Sequence, residues 1–313
     1  MGDVTATTVP ARERADRLAP LRRFTRPVLI ANVIAQIGII VTGGAVRLTG
    51  SGLGCSTWPA CEPGRFTPAF HEASSIHPYI EFGNRTLTGV LTVIGVAVLL
   101  LVWTDRTRSV AYRRLGLVPL LGVLAQAVIG GVVVLLHLHP GWVSLHFGVS
   151  AGLVWMSSYL LHRHGEGDGG PAPVGSRAVS LTGTVLALLL VPVITLGVLV
   201  TGSGPHSGDT EVGYRFALDP LAITRAHAAS VWLFTIALVV LLVLLHRARA
   251  GTTTAAARRG AWLLLVTTLA QGVIGYTQHF LGLPALLVGI HMLGAGLLVW
   301  ATANAVLRLR TRT

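Results

Sequence analysis

Eight stretches of largely apolar residues constrain this chain more than any other feature. They run at roughly 27–46, 80–103, 115–136, 142–162, 178–201, 223–246, 261–282 and 285–307. Each is near the ~20 residues that an α-helix needs to cross a bilayer. In hydrocarbon every backbone N–H and C=O has to be satisfied inside the protein, so the segments are expected to be helices. Composition agrees. Of 313 residues, 52% are hydrophobic and only 12% are charged, about half the ~25% charged residues of an ordinary soluble domain. A disordered chain and a soluble enzyme are excluded. The expected fold class is an all-α membrane protein with eight transmembrane helices.

The net charge of +12 comes from 24 basic residues, all arginine. A basic chain of this kind invites a nucleic-acid reading, but the arginines sit in short segments between the apolar runs. That is the distribution expected of a polytopic protein, so no nucleic-acid partner is expected. The N-terminus, the loops 104–114, 163–177 and 247–260, and the C-terminus carry 19 of them. The other five are Arg47, Arg65, Arg85, Arg215 and Arg225. The first set is therefore expected on the cytoplasmic side, with loops 47–79 and 202–222 outside. Residues 1–26 are polar and arginine-rich, but the apolar run after them is span-length and no small-residue cleavage site closes it. It reads as a retained first helix in the cell membrane.

An internal repeat divides the chain. Gln126-Ala-Val-Ile-Gly recurs as Gln271-Gly-Val-Ile-Gly, and each glutamine is followed 20 residues later by a histidine, His146 and His291. Each histidine is followed at one offset by Leu-Val-Trp, ending in Trp155 and Trp300. Val41-Thr42-Gly43 is echoed by Val200-Thr201-Gly202. The expected organisation is a tail at 1–26, a four-helix bundle at 27–162, a flexible Gly/Pro-rich linker at 163–177, a second bundle at 178–307 and a tail at 308–313. Each half has an even number of helices, so a pseudo-two-fold axis along the membrane normal is expected.

Ionisable residues inside a membrane are costly and default to functional candidates. Glu81, Arg85, His146, His227 and His291 all fall within one or two turns of the external ends of their helices. At 1.5 Å rise per residue they share one depth, roughly 5–10 Å below the surface. A lone helix histidine is usually a packing residue. Three at one depth, two of them related by the repeat, point to a haem held by histidines on facing helices. Placing helix 2 over helix 6 sets Asn84 where the second half has His227. The second half then offers two histidines, His227 and His291, suited to low-spin iron. The first offers one, His146, facing Asn84 and Glu81, and leaves a position open for chemistry. Glu81 there is a candidate acid, base or stabiliser of positive charge, or else an i,i+4 partner of Arg85. Arg85 and Arg225 are candidates for haem propionates, with simple interfacial anchoring the alternative for Arg225. Gln278, His279, His137, His139, His162, His164 and His246 read as interfacial. Cys55 and Cys61 share an outward loop in an oxidising compartment, where a disulfide is expected. It either staples that loop or relays electrons.

These residues resemble the haem A synthase family. The resemblance rests on Gly44-Ala-Val-Arg-Leu-Thr-Gly-Ser-Gly-Leu-Gly-Cys55, on Trp58-Pro59 and Cys61, on Glu81-Phe-Gly-Asn-Arg85, and on His146, His227 and His291 at helix starts. It covers about residues 27–307. It implies two similar four-helix bundles and an oxidoreductase that converts a ring methyl of haem O to the formyl group of haem A, for terminal cytochrome oxidase. By that resemblance His227 and His291 would hold a haem b, His146 would bind the iron of haem O, and Glu81 would be the catalytic carboxylate. The implied partners are haem O, a haem O synthase that would hand it over, and a membrane electron donor, quinol or other; self-association is a further candidate. Many members carry a histidine at the position of Asn84. His77 is a substitute in principle, but Pro78 argues against a helical position there. Some members also have a second cysteine pair, where this chain has Gly202-Ser-Gly-Pro-His206-Ser-Gly. The rival readings are a plain b-type cytochrome linked to quinol and, because parallel repeats are common there, a secondary transporter.

Overall fold

A computed structural model describes residues 18–69, 75–209, 211–248 and 251–313 of the chain. The greater part of the expected N-terminal tail, residues 1–17, lies outside the described residues. The main elements are α1 (Thr25–Leu48), α2 (His77–Trp103), the short α3 (Val110–Leu115), α4 (Val118–Leu135), α5 (Pro140–His164), α6 (Arg177–Ser203), α7 (Pro220–Arg247), α8 (Thr252–Phe280) and α9 (Ala285–Leu307). A short 3-10 turn precedes α1, and two-residue strands β1 (Ala172–Pro173) and β2 (Arg310–Thr311) pair antiparallel.

Among the described residues, seven helical segments are long and apolar enough to cross a membrane, namely α1, α2, α4 with α3, α6, α7, α8 and α9. The chain is thus an all-α, multi-pass membrane protein. Large apolar side chains such as Val93, Leu188 and Val266 point outward and are more than 60% exposed. A soluble protein would bury these; in a bilayer they face lipid. The long α5 is set apart by polarity. It carries buried Ser150, Ser157, Ser158 and Arg163.

The helices pack through small residues rather than through a hydrophobic driving force, which lipid removes. A Cβ on Gly122 of α4 would stand 2.2 Å from Leu153 of α5, and one on Gly95 of α2 would stand 3.1 Å from the Cα of Leu120 in α4. Gly44 of α1 likewise receives the Met292 methyl of α9. Buried Asn32 of α1 donates to Ser157 Oγ of α5 at 2.8 Å, a bond worth about 0.6 kcal/mol by the average for such contacts in membranes. The helix neighbours repeat: α1 touches α2 and α5, and α4 touches α2 and α5, while α6 touches α7 and α9, and α8 touches α7 and α9. Between these two sets the main contacts are α5 with α9, α1 with α9 and α5 with α6. The largest apolar core gathers Phe234, Leu238, Leu241 and Leu245 of α7 with Leu186, Leu264 and Leu298.

Three sequence expectations are corrected. The seventh apolar run, α8, begins at Thr252 rather than 261, because its first turns continue the helix ahead of the apolar stretch. The run expected to start at 115 is preceded by a separate helix, α3, capped by Ser109 Oγ, which accepts from Tyr112 N–H at 3.3 Å. His77 is helical: α2 starts there with Pro78 in its first turn. Proline is tolerated at that place because first-turn N–H groups have no intrahelical partner to lose.

The segment expected to be a flexible linker is tied down. Ala172 pairs with Thr311, Val174 N–H donates to Leu309 O at 2.8 Å, and Gly169 N–H donates to Thr313 O at 2.8 Å. Asp168 accepts from Arg108 Nε at 3.0 Å, from Ser109 N–H at 2.7 Å and from Arg163 Nη2 at 3.2 Å. At the opposite, disulfide-bearing end, Arg47 donates to the carbonyls of His206 (2.7 Å) and Thr201 (2.9 Å). Gly52 N–H there meets Gly208 O at 2.7 Å.

Candidate functional site

Glu81, Asn84, His146, His227 and His291 lie within about the first two turns of α2, α5, α7 and α9. Together with Arg85 and Arg225 they line one cavity of about 1320 Å³. The cavity runs continuously from one half of the chain to the other, past Ile40, Phe147, Ile194, Phe234 and Met292. Residues of both expected sites are among its lining.

Each histidine ring sits edge-on against a glycine of a neighbouring helix. A Cβ on Gly130 of α4 would stand 3.3 Å from Cε1 of His146. On Gly275 of α8 it would stand 3.3 Å from Cε1 of His291, and on Gly197 of α6 it would stand 3.1 Å from Cε1 of His227. The Nδ1 atoms of all three histidines are buried without a hydrogen-bond partner. Each glutamine of the repeat holds the histidine of its own half by the backbone. Gln126 Nε2 donates to His146 O at 2.9 Å, and Gln271 Nε2 donates to His291 O at 3.0 Å. Gln126 and Gly130, like Gln271 and Gly275, are one turn apart on one helix face. The repeated pentapeptide thus grips each histidine twice, at its carbonyl and at its ring. Sequence reading found the repeat but missed these glycines. The signal was there, since the glycine closes both copies.

The disulfide Cys55–Cys61 is formed, and both residues are fully buried. Glu81 and Arg85 dock its loop on α2. Glu81 Oε2 accepts from Cys55 N–H at 2.7 Å. Arg85 donates through Nε to Glu81 Oε1 at 3.1 Å, again through Nη2 to the same oxygen, and through Nη1 to the carbonyls of Thr57 (2.8 Å) and Ala60 (3.2 Å). The i,i+4 pair is therefore present, and every guanidinium nitrogen of Arg85 has a protein acceptor. Trp58 of the same loop lies over Gly131 of α4, its ring 2.6 Å from where a Cβ would stand. Asn84 Oδ1 accepts from Thr42 Oγ1 at 2.8 Å. His77 is taken up by Ser51, Nδ1 to Oγ at 2.8 Å.

The other histidines have local tasks. His139 caps α5, its Nδ1 accepting from Gly141 N–H at 3.2 Å. His137 takes a left-handed conformation (φ 49°) in the α4–α5 turn. His164 bonds Tyr112 and His246 bonds the Leu242 carbonyl, while His162 lies 3.4 Å from Glu166. Gln278 and His279 line the cavity. Among the described residues, no three His, Cys, Asp or Glu side chains gather as a cage for a bare metal ion. The donor chemistry is that of single imidazoles around a wide, mostly apolar space, which suits a metal carried in a flat macrocycle.

Fold and cavity define an all-helical, multi-pass membrane protein with buried imidazoles presented to a macrocycle-sized space. Residues 26–206 match the family model of the cytochrome oxidase assembly protein family, COX15-CtaA. This is more than half of the chain, and the chain belongs to that family. The match takes in Cys55, Cys61, Glu81, Asn84, Arg85 and His146; Arg225, His227 and His291 lie beyond it. The chain is similar to a protein named heme A synthase from Bacillus pumilus (strain SAFR-032), 33% identical over 140 residues, covering 44% of this chain and 43% of the relative. Its likeness to the heme A synthase of Methylobacterium radiotolerans is 33% over 233 residues, covering 62% and 59%. To that of Lysinibacillus sphaericus it is 29% over 144 residues, covering 44% of each. The chain spans less than two thirds of the length of each of these relatives.

Proposed function

We propose that this protein is a haem A synthase, an oxidoreductase that converts a methyl group of haem O to the formyl group of haem A for terminal cytochrome oxidase. The observation that carries the reading is the set of three imidazoles, each seated on a helix glycine and turned to one cavity, with Glu81 and the disulfide loop at one end. The residues fit the group. The glycine cradles leave room beside each ring, and the unpartnered Nδ1 atoms of His146 and His291 leave their tautomers free to be set by a ligand. His227 and His291 would hold haem b, and His146 would bind the iron of the substrate haem O. When bound, haem b supplies one-electron redox chemistry.

The chain's own part is positioning and charge. Gln126 and Gln271 fix the histidine-bearing turns. Glu81 presents a carboxylate at the substrate end, its Oε1 neutralised by Arg85 and its Oε2 shared with Cys55 N–H. A proton released during methyl oxidation is taken at Oε2, the oxygen without an ionic partner. Asn84, held by Thr42, stands at the position that the repeat pairs with His227, so His146 would be the one imidazole of this pair to bind the substrate iron. Arg225 lines the cavity near His227 and would pair with the propionates of haem b. Arg85 meets any substrate propionate only by giving up a carbonyl of its loop. The disulfide holds Trp58 and Cys55 in place.

The proposed arrangement is eight spans in two pseudo-two-fold related four-helix bundles, 27–162 and 178–307, with both termini cytoplasmic in the cell membrane. The repeated helix neighbours support it, as does α5, whose 25 residues reach about 37 Å. A membrane electron donor and a haem O synthase are the proposed partners. The test is pigment analysis after co-expression with a source of haem O. Glu81→Ala should abolish haem A while b-type haem stays bound. Glu81→Gln, which keeps an acceptor for Cys55 N–H, separates charge from docking. His291→Ala should remove the low-spin spectrum. Normal haem A production by Glu81→Ala would remove Glu81 from the chemistry, and a preparation yielding redox-active haem but never a formyl product would favour a plain b-type cytochrome.

A further inference from the structure

The C-terminal half closes the seam between α7 and α8 with a side-chain bolt. Trp232 Nε1 donates to Tyr276 Oη at 3.2 Å. Both residues line the cavity and both are about half exposed on the outer surface. Under the repeat, Asn84 lies over His227 and Gln126 over Gln271. The positions equivalent to the bolt in the N-terminal half are then Gly89 and Gly131. A Cβ on Gly89 would meet nothing within 4 Å, and Gly131 is covered by the indole of Trp58 from the disulfide loop. Toward the other end of the same seam the order reverses. Gly95 brings α2 onto the backbone of Leu120, where the second half has the bulkier Leu238. The α2–α4 seam is thus tight at its linker end and unbolted at its disulfide end.

Resting on the haem A synthase reading, we propose that the α2–α4 seam beneath Trp58 is the lateral passage through which haem O enters from the bilayer and haem A leaves. The Trp232–Tyr276 bolt keeps the haem of the other half resident. The chemistry demands the difference. A substrate with a long isoprenoid chain partitions into lipid and has to exchange at every turnover, edge first, between two helices. A cofactor must not. Two glycines in one seam and a hydrogen-bonded aromatic pair in the other give the same fold these opposite properties. Trp58, anchored on a loop rather than on either helix, covers the passage without bolting it.

The test uses the full-length protein in lipid nanodiscs. Haem O is delivered from phosphatidylcholine vesicles and its uptake followed by stopped-flow absorbance. Gly89→Trp places a large side chain in empty space. It should slow uptake about 10-fold, the effect residing in rate rather than final occupancy, with the b-type haem content unchanged. In the reverse variant, Trp232→Gly with Tyr276→Gly, the resident haem should pass to added apomyoglobin about 10-fold faster than from the parent protein. Unchanged uptake in Gly89→Trp overturns the passage, and unchanged transfer in the double-glycine variant overturns the bolt. If Gly89→Trp does not fold, the transfer rate decides. A parent protein that binds no haem would instead sink the functional reading, an outcome seen before any variant is compared.

Discussion

At the scale of single residues, the candidate site depends on neighbours that hold the histidines in place. Gln271 is 8% exposed and its Oε1 is buried without a partner. Its amide is spent on the carbonyl of His291. Replacing it with leucine removes both the bond and the orphaned oxygen, so the fold should be little affected. The ligand should be affected: groups that orient a metal-binding histidine are worth about 10-fold or more in affinity. Gln271→Leu is therefore expected to weaken haem binding in the C-terminal half about 10-fold by titration, with Gln126→Leu sparing it. Equal weakening by both variants would break the assignment of each glutamine to its own histidine. Gly294→Ala tests the same contact from the other side, because a Cβ there would stand 2.0 Å from Gln271 Oε1. It should mimic Gln271→Leu in the same titration.

At the scale of elements, the first loop owes its shape to a six-residue covalent step and one ion pair. Cys55 and Cys61 are separated by six positions, and closing so short a loop contributes about 2 kcal/mol in the chain-entropy account. The Cys55→Ser, Cys61→Ser protein should show loop opening easier by about that amount in hydrogen exchange, with α2 itself unchanged. Protection that stays at the parent level would mean that Glu81 and Arg85 hold the loop without the disulfide. Helix boundaries were readable where apolar runs and boundaries coincide. The end of α9 at Leu307 is one such place. They were not readable at α8, where Thr252 to Ala257 form helix in threonine and alanine ahead of the long apolar run, nor at His77, where a proline that stops a helix interior starts a helix end.

At the scale of the whole molecule, two clasps hold the ends of the helix array, and one responds to pH. The Arg108 guanidinium, with the Ser109 N–H and hydroxyl, holds the Asp168 carboxyl well below the usual carboxylate range. A folded-state value below the unfolded one gives stability that is complete above the unfolded value of ~3.9 and is lost as the pH falls below it. The linker should accordingly stay protected at pH 5 to 8 and loosen in acid, starting near pH 4. Asp168→Asn should show the loosened linker already at neutral pH, read as faster proteolysis within 165–176. A variant as resistant as the parent would assign the clasp to strand pairing and Arg163 alone. The same scale explains why the linker looked flexible in sequence. Its strand Ala172–Pro173 pairs with β2, more than a hundred positions away, and no local pattern announces so distant a partner.

Local chemistry was enough to specify the helical class, the repeat, the histidines near their helix starts and the cysteine pair. Hydropathy, charge placement and spacing are properties of neighbouring residues, and the bilayer turns them directly into structure. Folding in three dimensions settled what depends on which helices meet. It set the histidines of both halves around one cavity, committed Arg85 to the loop and tied down the linker. It gave the glycines of the repeat their purpose. A glycine in a sequence records only that a side chain is missing, and what fills the space is known once another helix has arrived there.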